Sequence, residues 1–207
     1  MIPPTPERIT GLVLAGGLGR RMGGVDKGLS LLDGEPLVEH IIRRLAPQVG
    51  QLIINANQNH DIYAGFGYPV VGDRIEGHAG PLAGLCAGLD YASQDGVPWI
   101  FAVATDMPFV RPALIEQLAN YRSGVDAVVP LVDGHPQPLA AFYSIDALPA
   151  VRALATGEGK RSLRAALERL QVAYVHAADL ITADPGLDSF VDLDTPEDLA
   201  KDIEALL

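Results

Sequence analysis

The run Ile9 to Leu14, Ile-Thr-Gly-Leu-Val-Leu, constrains the fold more than any other stretch of the chain. It carries apolar side chains at both odd and even positions, so a strand built from it has no face suited to water and must be covered on both sides. That is the situation of a strand inside a parallel α/β sheet. The run stops at Gly16 and Gly17, and Gly19, Gly23 and Gly24 follow. Without a Cβ such residues reach positive φ and let backbone N–H groups approach an anion closely. Arg20, Arg21 and Lys27 then supply positive charge, the arginines as planar forks and the lysine as a point charge. The stretch reads as a phosphate-binding loop.

Two common phosphate loops are excluded by spacing. A dinucleotide fingerprint needs a small residue where Met22 stands and an acid closing the second strand, where Asn55 and Asn57 stand. A Walker loop needs Gly-Lys followed by Ser or Thr, but Lys27 lies between Asp26 and Gly28.

Alternating strand and helix patterns follow. Gly28 to Leu32 is expected to be extended and closed by an Asp33-Gly34 turn, and Leu37, Val38, Ile41, Ile42 and Leu45 mark a crossover helix. Gln51 to Ile54 and Pro69 to Val71 read as the next strands, which places Asn55, Asn57 and Asp73 at carboxyl ends, where open α/β sheets hold ligands. From the residues alone, Asn55 reads equally well as a turn asparagine or as an amide contacting base or sugar, and Asp73 as a loop aspartate. Gly80-Pro81-Leu82-Ala83-Gly84 opens a helix of small residues, and Trp99 to Ala104, the strongest strand, delivers Thr105-Asp106-Met107-Pro108 toward the phosphate loop. Asp106 is the candidate metal ligand, because hard Mg²⁺ takes one or two carboxylates together with phosphate oxygens and water.

The later chain breaks the alternation. Ala127 to Leu131 and Leu139 to Tyr143 flank an Asp133-Gly134 turn and suggest an antiparallel hairpin inserted as a lip beside the site, with His135 and Gln137 near its tip. Lys160, Arg161 and Ser162 lead into a helix and read either as a phosphate site or as an ordinary capped loop. Val172 to His176 and Phe190 to Leu193 read as final strands, with Asp192 and Asp194 projecting the same way about Leu193. Thr195, Pro196 and the acids Glu197 and Asp198 form the start of a closing helix.

Taken together, Leu-Ala-Gly-Gly at 14–17, Arg-Met-Gly-Gly-x-Asp-Lys at 21–27, the Asn55, Asp73, Gly80–Gly84 and Thr105–Pro108 segments, and Asp192–Asp198 resemble the molybdenum cofactor guanylyltransferases. The resemblance covers nearly the whole chain. It implies a Rossmann-like three-layer α/β/α nucleotidyltransferase fold, with a mostly parallel sheet and a small antiparallel insertion. It implies transfer of GMP from GTP to molybdopterin with Mg²⁺ as cofactor. Leu14, Ala15, Gly16, Gly17, Lys27, Asn55, Asp73, Gly80, Pro81 and Asp106 would then bind nucleotide, with Arg21, Lys27 and Asp106 catalytic. Lys160, Arg161, Ser162, Asp192 and Asp194 would face the acceptor, although the family often carries asparagines where Asp192 and Asp194 stand. Cytidylyl transfer, sugar-phosphate nucleotidyl transfer and a non-catalytic nucleotide-binding assembly role are the competing readings.

Composition narrows the rest. The 207 residues suit one α/β domain with a loose lead-in over residues 1–8, and a single cysteine, Cys86, excludes an internal disulfide framework. A net charge of −11 argues against non-specific nucleic-acid binding, and no apolar run approaches the roughly 20 residues of a membrane span. A cytoplasmic monomer is expected, and the resemblance implies molybdenum-insertion proteins and apo-molybdoenzymes as partners. Its few cations must be concentrated where the anionic nucleotide binds.

Overall fold

The computed structural model describes residues 8–15, 26–75 and 80–199. The sheet strands are β1 (Ile9–Leu14), β4 (Gln51–Asn55), β5 (Val70–Val71), β6 (Trp99–Ala104), β7 (Ala127–Val132), β8 (His135–Pro136), β9 (Ala140–Ser144) and β10 (Val172–His176). They run in the order β10-β7-β9-β6-β1-β4-β5, with the short β8 on the end of β7. β1 pairs parallel with β4 and β6, β4 with β5, and β10 with β7. β9 is antiparallel to both β6 and β7. The β7–β9 segment is therefore not a lip beside the sheet: its return strand fills a central place, because Ala140 to Ser144 is buried throughout and finds hydrogen-bond partners on both sides.

Helices cover both faces. On one side α1 (Leu37–Leu45), α2 (His60–Ala64), α4 (Pro112–Ala119) and α7 (Ala177–Leu180) share a core with Val13, Ile54, Phe101 and Val103. On the other, α3 (Pro81–Gln94), α5 (Leu148–Thr156) and α6 (Leu163–Leu167) pack on Leu12, Leu14, Ile53, Ile100 and Ala102. Alternate residues of β1 thus enter different cores, as the double-sided apolar run requires. Gly88 on α3 lets that helix close on the sheet, since a Cβ there would stand 2.4 Å from Leu12 Cδ2.

Both Asp-Gly turns form as expected. Asp33 and Gly34 sit at φ 49° and 80°, Asp133 and Gly134 at 49° and 75°, the positive angles of a hairpin turn whose twist matches its strands. The first joins β2 (Leu31–Leu32) to β3 (Glu35–Pro36). Two expectations need correction. Lys27–Leu29 is a 3-10 turn rather than extended chain, because the Asp26 side chain accepts the Gly28 N–H and starts a tight turn. Asp188–Phe190 is likewise a 3-10 turn, and Val191 to Asp194 pairs with no strand, because buried Asp184 accepts the amides of Asp188 and Ser189 and bends the chain. Among the described residues, no helix is long and apolar enough to cross a membrane.

Candidate active site at the strand ends

Strand register puts the candidate residues on one edge. Leu14 lies opposite Asn55 and Ala104, and Asn55 opposite Val71, so four parallel strands end in one row. Ala15, Asn55, Asp73 and Asp106 leave this row together. The chain passes to one side of the sheet after β1 and returns to β6 across the other, so the row includes the crevice where such sheets bind ligands. Ala15 N–H donates to the Asn55 carbonyl at 2.8 Å and Thr105 N–H to the Leu14 carbonyl at 3.2 Å, which ties the loop starts together.

Lys27 and Asp106, 79 residues apart, meet at the crevice with Nζ to Oδ2 at 3.1 Å. The same ammonium donates to Asp194 Oδ1 at 2.5 Å. Burial alone would lower the lysine pKa, but the hydrogen bond to Asp194 and the charge of Asp106 outweigh it and leave it raised. Lys27 is therefore firmly cationic. The other Asp106 oxygen, Oδ1, is buried with no hydrogen-bond partner among the described residues. A buried carboxylate oxygen without a donor is costly, and a bound cation would satisfy it.

Asp194 reaches the site because Leu193 is anchored. Leu193 is buried with Leu32, Leu37 and Phe109, and its N–H donates to the Asp106 carbonyl at 2.9 Å. Its neighbours Asp192 and Asp194 consequently emerge toward the crevice. Loss of water around the Asp192 carboxyl, then the charges of Asp106 and Asp194, raise its pKa to about 6 against the opposing pull of Lys27. The residue stays exposed, so solvent screens this crowding. Thr195 caps α8 (Pro196–Leu199): its hydroxyl accepts the Asp198 N–H at 3.2 Å, and Asp198 Oδ2 accepts the Thr195 N–H at 3.0 Å.

A second group surrounds Asp73. Asn55 Nδ2 donates to Asp73 Oδ1 at 3.0 Å and to the Val71 carbonyl at 3.1 Å. Asn57 Nδ2 donates to Asp73 Oδ2 at 2.8 Å, and the Asp73 N–H returns a bond of the same length to Asn57 Oδ1. Both carboxylate oxygens are thus aimed and still hold free lone pairs. Asn57, placed at the strand end by the sequence but not among the expected nucleotide contacts, thus helps to hold Asp73. On the α3 side Gly84 leaves room for Asn55, since a Cβ there would stand 2.4 Å from its Oδ1. Gly80 takes φ 56° before Pro81 at the first turn of α3, an angle that suits glycine.

Two further sets of expected residues remain. Gly16, Gly17, Arg20 and Arg21 lie outside the described residues. Lys160, Arg161 and Ser162 are on the α5–α6 connection, where Arg161 Nε donates to the Gly157 carbonyl at 3.0 Å and Ser162 caps α6 through the Ala165 N–H. Buried Asp26 and Tyr63, joined by exposed Asn59, form a group behind Lys27 for which the sequence offered only the Asp-Lys pair as a signal. Among the described residues no three metal-donor side chains converge, so a divalent ion here would draw on Asp106 and on oxygens of a bound phosphate.

A mostly parallel sheet with a glycine-bounded first strand, and a lysine and an aspartate meeting at its ends, is the frame of a nucleotide-binding α/β protein. The family model described as a MobA-like NTP transferase domain matches residues 11–173. The molybdenum cofactor guanylyltransferase of Cupriavidus necator is 43% identical over 75% of this chain and 80% of its own length. That of Vibrio campbellii is 36% identical over 95% of each chain. The crystal structure of molybdopterin-guanine dinucleotide biosynthesis protein A from Archaeoglobus fulgidus superimposes with a TM-score of 0.78 and 30% identity, covering 92% of this chain and 95% of that one. The chain belongs to the molybdenum cofactor guanylyltransferase family, within the MobA-like NTP transferases.

Proposed function

We propose that this protein transfers GMP from GTP to the phosphate of the molybdopterin cofactor, giving molybdopterin guanine dinucleotide and pyrophosphate. The observation that carries the reading is the meeting of Lys27 with Asp106 at the strand ends, in a chain alike along 95% of its length to a guanylyltransferase. An oxygen of the acceptor phosphate attacks the α-phosphorus, the bond from that phosphorus to the bridging oxygen breaks, and pyrophosphate leaves with the electron pair. The attacking oxygen is already anionic. The protein therefore contributes positioning and charge neutralisation rather than a strong base.

The proposed roles rest on the family likeness and, for Lys27, Asn55, Asp73 and Asp106, also on their meeting at the strand ends. Leu14, Ala15, Gly16 and Gly17 hold the nucleotide by their backbone, and Arg21 and Lys27 neutralise the pyrophosphate as it forms. Asp73, held by Asn55 and Asn57, accepts the N1 and exocyclic amino donors of guanine, whereas cytosine offers a carboxylate only its amino group. Gly80 and Pro81 bound the nucleotide at the start of α3. Mg²⁺ would be held by Asp106, whose free oxygen fits it, and when bound it supplies charge neutralisation to the triphosphate. Asp192 and Asp194 border the acceptor side, while Lys160, Arg161 and Ser162, on the α5–α6 connection, are acceptor candidates by the family likeness and their charge. Delivery of the product to apo-molybdoenzymes, with molybdenum-insertion proteins, in the cytoplasm, completes the reading.

The test is pyrophosphate release by the purified protein with Mg²⁺ and molybdopterin, comparing GTP, CTP, ATP and UTP. Release confined to GTP is the expected result. Release with CTP alone would overturn the guanine assignment of Asp73, and no release with any nucleotide would overturn the transferase reading.

A further inference from the structure

Behind Lys27 stands a buried carboxylate that the reaction does not use. Asp26 is 7% exposed. Its Oδ1 accepts the Tyr63 hydroxyl at 2.6 Å and the Gly28 N–H at 3.2 Å, and its Oδ2 accepts Asn59 Nδ2 at 2.9 Å. Tyr63 is fully buried on α2, and Asn59 caps that helix from the left-handed region at φ 54°. Leu29 N–H donates to the Asp26 carbonyl at 3.1 Å and Ser30 N–H to that of Lys27 at 3.1 Å, so the backbone of Lys27 is the first residue of a closed turn. Gly28 is pressed into the same group: a Cβ there would stand 2.5 Å from the Tyr63 hydroxyl and 3.2 Å from Thr105 Cγ2. The turn is thus fixed from one side by α2 and from the other by the residue preceding Asp106.

A neutral serine or asparagine would cap this turn as well as aspartate does. A charge kept in a buried place calls for another reason, since desolvating it is costly unless every lone pair is answered. Three donors from two segments, the turn itself and α2 with its cap, answer it here, and the bonds to a charged acceptor are the strong kind. What the group accomplishes is to hold the Lys27 Cα in one place, from which the long, flexible lysine stem reaches the crevice with its ammonium against Asp106 and Asp194.

We propose that Asp26, held by Tyr63 and Asn59, is a positioning residue that sets the Lys27 ammonium at the triphosphate. The proposal rests on the guanylyl-transfer reading for its kinetic consequence, but its geometric consequence is independent of substrate. Tyr63→Phe keeps the ring and removes one bond; Asp26→Asn keeps the shape and removes the charge. A misplacement of about 1 Å at a group that acts on the reacting phosphates costs up to roughly a hundredfold in rate. Both variants should therefore lose about tenfold to a hundredfold in kcat, with KM for GTP changed far less.

The closing experiment has two arms on the full chain. In the first, kcat is measured for Asp26→Asn, Lys27→Gln and the pair; an effect exerted through Lys27 predicts that Asp26→Asn adds nothing once Lys27 is gone. In the second, the nucleotide-free protein is acetylated with an N-hydroxysuccinimide ester and Lys27 followed by mass spectrometry. Release of the ammonium from its carboxylates should speed its acetylation in both Asp26→Asn and Tyr63→Phe. Losses that multiply in the double variant, or a Lys27 acetylation rate unchanged in Tyr63→Phe, would overturn the proposal. If the protein proves inactive with every nucleotide, the guanylyl reading fails while the acetylation arm still decides the role of Asp26; if Asp26→Asn does not fold, Tyr63→Phe carries both arms.

Discussion

Replacing Gly84 by Ala sets helix propensity against the geometry of the base-reading site. Alanine in a helix interior is favoured over glycine by about 1 kcal/mol, so the change would raise stability if nothing stood in the way. The new methyl group, however, would lie 2.4 Å from Asn55 Oδ1 and 2.6 Å from Leu14 Cδ2. Restoring ordinary contact displaces the Asn55 amide by about 1 Å, since van der Waals contact begins near 3.4 Å. That amide holds Val71 O at 3.1 Å and Asp73 Oδ1 at 3.0 Å, and neither bond survives such a shift. Two lost bonds, one to a charged acceptor, cost about 3 kcal/mol, and overpacking adds about 1 kcal/mol or more. The net loss is about 3 kcal/mol, equivalent to a fall in Tm of roughly 6–12 °C for a chain of this size. Gly88→Ala is the control, because the three atoms nearest its Cβ all belong to Leu12 and none to the Asn55–Asp73 group. It should leave stability within about 1 kcal/mol of the parent, because overpacking and the propensity gain, each about 1 kcal/mol, offset one another. Thermal unfolding without nucleotide and calorimetric titration with GTP separate the two. Gly84→Ala should weaken GTP binding about tenfold, the equivalent of 1.4 kcal/mol, while Gly88→Ala should leave it unchanged. A Gly84→Ala protein that melts at or above the parent temperature with an unaltered GTP affinity would refute this account of Asn55.

Other residues yield sharp expectations. Asp106→Asn should abolish pyrophosphate release and reduce Mn²⁺ binding, measured by titration calorimetry, while circular dichroism remains that of the parent; near-parental turnover would remove Asp106 from the reaction. Asp192 has a folded-state pKa of about 6, above its ordinary value of 3.8, so its charged form disfavours folding. Stability therefore falls as pH rises through about 4 to 6, and Asp192→Asn, in EDTA, should raise Tm at pH 7.5 with a gain that vanishes near pH 4; a gain independent of pH would contradict the crowding of carboxylates. Arg111 pairs with fully buried Asp184 at 3.1 Å and with Asp188 at 2.5 Å. Arg111→Ala leaves Asp184 only its two backbone donors and should lower denaturant stability by about 2 kcal/mol. By loosening the segment that carries Leu193 it should also reduce kcat, and full activity would show that this staple does not serve the site.

Much of this molecule was legible because the decisive signals were local. The double-sided apolar runs Ile9–Leu14 and Trp99–Ala104 became central parallel strands with the boundaries their sequence suggests, and each Asp-Gly pair became a hairpin turn. Asp106 and Asn55 followed as strand-end residues, since period and punctuation fix where a strand stops. Gly16, Gly17 and Arg21, named from the same signal, lie outside the described residues.

What the sequence by itself determined, then, was the alternation of elements, the layering and the list of groups at the carboxyl ends. Only the tertiary structure decided which of them touch. Nothing local states that the return strand Ala140–Ser144 enters the sheet between β6 and β7, because its neighbours are chosen by long-range pairing. Nothing local joins Lys27 to Asp194 across 167 residues, or gathers Asp26, Asn59 and Tyr63 behind that lysine. Those contacts depend on Leu193 being drawn into a small apolar cluster and on α2 packing against the sheet. Burial chooses such partners by shape and by the need to answer each buried charge, and neither is written in the spacing of residues along a chain.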